Sequence, residues 1–212
     1  YGMNVALNAA TLLVTGNPVA LPGNVDFTGA NTINLAAQLT LSGSNSGAGG
    51  FTKTGVSNLV LNSTAGYIGS TTISAGTVIA GANNALSNAA LTIGTGTTVA
   101  SLDLTNASQT VPTLTVSSNS ASNNTITIGS GRTLTVNATT GSVLVVGVDP
   151  SSATANSETR LVVSGAGSMA VTTTDGNVLI GVPTNPSGEN SASNGRLDLT
   201  GLTGGFTYNA TG

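Results

Sequence analysis

Short apolar alternations recur along the whole chain, and none of them has the spacing of a helical stripe. Val25/Phe27, Ile33/Leu35, Leu39/Leu41, Leu59/Leu61, Leu91/Ile93, Leu102/Leu104, Leu114/Val116, Ile126/Ile128, Leu134/Val136, Val143/Val145, Leu161/Val163, Val178/Ile180 and Leu197/Leu199 each place two apolar side chains two positions apart. A period of two is the signature of a strand with one buried face. Between the pairs stand Gly-Asn, Ser-Gly, Asn-Ser and Gly-Thr-Gly, residues that supply positive φ and side-chain-to-backbone hydrogen bonds at corners. Short strands separated by sharp corners are therefore expected throughout.

The clearest unit is residues 50–81, where Leu59/Leu61, Thr71/Ile73 and Val78/Ala80 are divided by glycine, asparagine and serine. It reads as strand, corner, strand, corner, strand. The pattern returns with a loose period of about 20 to 25 residues, as stacked coils do in sequence. An antiparallel sandwich has similar strand spacing, but its hairpins usually carry aromatic pairs and alternating charge on the wet face. This chain has three Phe, three Tyr, no Trp and few charges. The expected fold is all-β, a right-handed parallel β-helix (β-solenoid) with three short strands per coil, forming one unit over residues 1–212. The stretches near 149–159 and 183–194 lack alternation and carry Pro, Ser and Asn, so they are expected as loops thrown out from a coil.

Composition sharpens this. Of 212 residues, 35 are Thr, 24 Ser, 23 Asn and 29 Gly, and only 5% are charged, so the surface must be hydroxyl and amide. The hydrophobic share of 39% is enough for a core and argues against disorder. The four cations, Lys53, Arg132, Arg160 and Arg196, are scattered under a net charge of -3, which disfavours nucleic-acid binding. No apolar run approaches the roughly 20 residues of a membrane-spanning helix.

The fixed positions Gly50, Phe51, Thr52, Lys53, Gly55, Leu59, Leu61, Tyr67, Gly69, Thr71, Ile73, Gly76 and Val78 resemble the autotransporter-associated β-strand repeat of bacterial autotransporter passenger regions. The resemblance is strongest over 50–81, weaker over 18–116, and compositional beyond about 117. It implies an exported, extracellular or cell-surface protein, and the absence of cysteine is in keeping with such export. Starting at Tyr1 and ending at Gly212, the chain is expected to be a processed or truncated piece of something longer.

The chemistry of catalysis is thin. Without His or Cys there is no Ser/His/Asp triad, Cys/His pair or ordinary zinc site. The carboxylates Asp26, Asp103, Asp149, Glu158, Asp175, Glu189 and Asp198 stand singly. Stacked coils would have to bring Asp103 beside another acid to build a catalytic pair. Gly165 to Ala170 fits G-x-G-x-x-A formally, but Val171-Thr172-Thr173-Thr174 favours strand over helix, so it reads as a glycine corner. The five Asn-x-Ser/Thr sequons are as many as the composition alone produces.

Lys53 is expected on a solvated edge or capping carbonyls at its corner, Tyr67 as a packing residue beside Gly69, and Leu59, Leu61, Ile73 and Val78 in the core. Tyr1, Phe206 and Tyr208 are candidate interface anchors. No catalytic, cofactor-binding or metal residue is assigned, and no cofactor. The expected function is that of a non-enzymatic extracellular structural element, a filament subunit or adhesin shaft on a bacterial surface. Its expected partner is a second copy stacked end to end through open solenoid ends, with surface or glycan contacts besides. The alternative is a carbohydrate-binding or polysaccharide-cleaving β-helix.

Overall fold

The computed structural model describes residues 2–118, 122–147, 158–181 and 194–211, and among them there are strands and turns but no helix. The strands form three sheets in which every strand-to-strand pairing is parallel. Val5–Asn8, Val25–Thr28, Asn45–Gly47 and Ala65–Tyr67 make the first sheet. The second begins with Thr11–Val14, Ala30–Leu35, Gly50–Thr54, Thr71–Ile73, Leu91–Gly96 and Leu114–Ser118. Val19–Leu21, Leu39–Leu41, Leu59–Leu61, Gly76–Ala80, Ala100–Leu104 and Asn123–Ile128 build the third, which continues through Glu158–Gly165 and Asn194–Leu202. As far as Ala80 the chain visits the first, second and third sheets in turn; beyond it the described strands belong to the second and third sheets alone. This is a parallel β-solenoid-like fold.

Parallel strands buried against one another need matching side chains on successive rungs, roughly 4.8 Å apart. The third sheet supplies them without a break: Val19, Leu39, Leu59, Val78, Leu102, Ile126 and Val163 are paired rung to rung. All but Val19 are buried to within 1% of full burial, each contributing on the order of 1.5–3 kcal/mol of hydrophobic stabilisation. Leu59, Leu61, Ile73 and Val78 lie in this core as expected, each 0% exposed.

The step between paired residues is 20 positions from Val25 to Asn45, from Leu39 to Leu59 and from Thr71 to Leu91. It then grows to 24 from Leu102 to Ile126, 30 from Leu114 to Leu144 and 37 from Met169 to Phe206. The longer coils are built differently. Thr133–Val146 is one strand of 14 residues whose start pairs with Gln109–Val111 and whose end pairs with Leu114–Ser118, and Ser168–Ile180 runs along it. Phe206–Ala210 pairs in turn with the start of Ser168–Ile180.

The expected loops near 149–159 and 183–194 fall outside the described residues except at their edges. There Glu158 and Thr159 open the strand Glu158–Gly165, and Asn194 opens Asn194–Leu202. Gly165 does end a strand, and Ser168 begins the next, so the Gly165 to Ala170 stretch is a corner followed by strand.

One rung lacks a strand. Between Ala65–Tyr67 and Gln109–Val111 lies the turn around Asn84 to Leu86, joined by Ala65 N–H to the Asn84 carbonyl at 2.8 Å and Asn84 N–H to the Ser108 carbonyl at 2.9 Å. The buried Gln109 amide completes the ladder: its Nε2 donates to the Leu86 carbonyl and its Oε1 accepts from Leu86 N–H, both at 3.0 Å. A side chain here does the work of a backbone strand.

Candidate functional site

Residues 50–81 fold as the five short strands Gly50–Thr54, Leu59–Leu61, Ala65–Tyr67, Thr71–Ile73 and Gly76–Ala80, and Lys53 closes the corner after the first of them. Strand parity sets its direction, because Phe51 and Lys53 are two apart and point the same way, inward. Lys53 is paired with Ile33 on one side and Ile73 on the other, and is 0% exposed. The solvated-edge expectation is therefore corrected, while the carbonyl-capping one holds. Nζ donates to the carbonyl oxygens of Thr54 at 3.1 Å, Gly55 at 2.6 Å and Ala75 at 2.8 Å. All three ammonium donors are satisfied. Desolvation by burial lowers its pKa from 10.5 to about 8.

Beside this corner stand three aromatic rings. Phe27, Phe51 and Tyr67 form a triangle with centroids 5.3, 5.4 and 5.5 Å apart. Phe27 and Tyr67 lie on the first sheet with Gly47 on the rung between them, and Gly47 leaves room for the rings to meet across that rung. A Cβ on Gly47 would lie 2.1 Å from the Phe27 carbonyl oxygen, and its φ of 112° is a glycine conformation. Tyr67 is a packing residue as expected, 2% exposed, with its hydroxyl 2.8 Å from Thr71 Oγ1. Burial raises its pKa.

The described carboxylates are not drawn into a pair. Asp103 is flanked in its sheet by Ile79 and Thr127, and accepts from Thr105 N–H at 2.8 Å. Asp26 accepts from Ser46 and Thr28 hydroxyls, and Asp175 pairs in register with Thr140. Glu158 is held by Arg160 at 2.5 Å and Asp198 by Arg196 at 3.0 Å. The Arg160 hydrogen bond lowers the Glu158 pKa, and the Thr200 hydroxyl leads the causes that lower that of Asp198. These pairs are partly exposed, where water screens them, and contribute little to stability. Asp149, Glu189 and Tyr1 lie outside the described residues. No group of three or more metal-ligating side chains occurs among the described residues.

Shallow grooves lie on the surface. A groove of about 390 Å³ is lined by Gly29, Gly49, Gly50, Thr52, Ser70 and Thr72 among others. Another, about 270 Å³, lies against the first strands beside Met3, Leu12 and Leu13. Phe206 and Tyr208, the remaining anchor candidates, are 38% and 49% exposed on the last strand of the second sheet.

Sequence reasoning missed the inward polar residues Asn31, Asn45 and Gln109, all 2% exposed or less. Their parity with apolar neighbours is the signal that marks them, as Asn31 with Ile33 and Gln109 with Val111. The arrangement as a whole is that of a repetitive scaffold in which Lys53, Asn31 and Gln109 are hydrogen-bonded inside, while Asn45 Oδ1 is buried without a partner. Comparison with family models, curated proteins and solved structures finds no match.

Proposed function

We propose that the chain is a non-enzymatic structural β-solenoid, wound right-handed with three short strands per coil, serving as a shaft or filament element on a bacterial surface. The observation that carries this reading is the rung-to-rung register with a step of 19 or 20 residues through residues 25–91. Continuous ladders and a continuous core resist extension along one axis, which is what a spacer requires. The resemblance of residues 50–81 to the autotransporter-associated repeat supports export and surface display as part of a passenger region. It gains weight from Lys53, whose ammonium gives that fixed position a definite task at the corner.

The partner proposed is a second copy, edge to edge along the axis, with surface or glycan contacts besides. Met3 and Leu13 are 69% and 59% exposed along the outer edge of the first strands, and Tyr208 is 49% exposed on the last. Further coils or another copy would cover both edges. Electron microscopy of the purified chain at micromolar concentration tests this: narrow rods or fibres are expected, and round particles would overturn the shaft reading. Turnover in a reducing-sugar and lyase assay on acidic polysaccharides, with and without Ca²⁺, would overturn the non-enzymatic one.

A further inference from the structure

The outward face of the second sheet carries an unbroken rank of threonines. Thr11, Thr32, Thr52, Thr72, Thr92 and Thr115 are paired rung to rung on six successive strands. Beside them runs a second polar row, Asn34, Thr54, Ser74, Thr95 and Ser117, in which the Ser74 and Thr95 hydroxyls bond each other and the Ser117 hydroxyl donates to the Gly94 carbonyl.

The fold itself does not demand this. The equivalent outward rank of the third sheet is Ala20, Thr40, Val60, Ile79, Asp103 and Thr127, and that of the first is Ala6, Asp26, Ser46 and Gly66. Nor are the six threonine hydroxyls used internally: none hydrogen-bonds to another described residue, whereas Thr125 on the third sheet is bound to Ser101.

We infer that this face binds the ordered surface of ice. The ranks repeat every ~4.8 Å along the sheet and every ~6.6 Å across it, two residues at about 3.3 Å each. Oxygen rows of hexagonal ice repeat on the same scale, slightly closer along one direction and wider along the other. Each threonine offers a hydroxyl that anchors a water and a methyl that restricts its neighbours. Single contacts of this kind are weak, but at fixed spacing every contact after the first is intramolecular and the set adds up. Neither rank carries a charge to recognise an ionic surface. Phe27, Phe51 and Tyr67 are buried, so no ring from the aromatic cluster offers a platform for a sugar polymer.

The inference goes beyond the scaffold reading and is tested apart from it. Thermal hysteresis and ice-crystal shape are measured for the whole chain, for Thr52→Lys/Thr72→Lys, and for Thr127→Lys on the third sheet, with circular dichroism melting to verify folding. Faceted ice and hysteresis are expected for the wild type and Thr127→Lys, with most of the hysteresis lost in the folded double variant. Round, freely growing crystals in wild-type solution would overturn the inference, as would equal loss in the control. Retention on microcrystalline cellulose without ice activity would overturn it too, while leaving the shaft reading in place.

Discussion

The Lys53 ammonium donates to the Gly55 carbonyl oxygen at 2.6 Å, from a side chain with no solvent exposure. With Thr54 and Ala75 it ties the residues leaving one strand to the corner of the next coil, 22 positions on. Replacing Lys53 with Met keeps most of the volume and orphans three carbonyls. The expected cost is about 1–3 kcal/mol for each carbonyl left buried without its donor. Urea unfolding of the two proteins measures it.

The same ammonium sets a pH dependence. Its folded pKa of about 8 lies below its ordinary value of 10.5. Between those values the unfolded chain binds more protons than the folded one, so stability rises with pH from about 8 upward. Near pH 10 the buried Tyr67, whose folded pKa is raised, begins to oppose the trend, because only the unfolded chain then ionises it. The melting temperature of the wild type is expected to climb between pH 8 and about 9.5 relative to Lys53→Met. Parallel curves for the two proteins would contradict this assignment.

Tyr67 separates packing from hydrogen bonding. Tyr67→Phe should lose the hydroxyl's hydrogen bonds to Thr71 and Ser87, about 1 kcal/mol for each. Tyr67→Ala empties one corner of the aromatic triangle and should cost about 3–5 kcal/mol. Near-ultraviolet circular dichroism should keep its aromatic signal in the first variant and lose most of it in the second.

Gln109 bridges the rung that has no strand, so Gln109→Leu removes both hydrogen bonds to Leu86. Leaving Leu86 N–H and C=O unpaired should cost about 1–3 kcal/mol for each buried orphan. Hydrogen exchange gives the local readout: the Leu86 amide should exchange much faster, with amides of Leu39–Leu41 unchanged.

The glycine at 47 makes a steric prediction. Gly47→Ala meets both an unfavourable φ and the Phe27 carbonyl, whereas Gly16→Ala, at φ 80°, meets open space. The Gly16 change should cost about 1–2 kcal/mol, and the Gly47 change clearly more in the same denaturation experiment.

Much of this architecture is legible in the alternation of side chains. Leu59, Leu61, Ile73 and Val78 announce themselves because each stands two positions from another inward residue and next to a polar one. Lys53 misleads because charge argues for water, while its parity with Phe51 argues for the interior; three carbonyl acceptors decide in favour of parity. The fusion of two strand positions into Thr133–Val146 could not be read locally. It depends on which distant residues, Gln109 and Leu114, that strand pairs with. The threonine rank was hidden for the same reason. Its members are scattered through a threonine-rich sequence and become neighbours only once register is known.

Equal coils have a consequence for how such a molecule changes over generations. Where every rung from Val25 to Leu91 takes nearly the same number of residues, duplicating one whole rung leaves inner and outer faces, corners and neighbours in place. It lengthens the molecule by roughly one strand spacing, about 4.8 Å. Insertion of a single residue within a strand would instead reverse the facing of every side chain after it. Reach is therefore a heritable dimension that can be adjusted in whole increments, like the marks on a ruler.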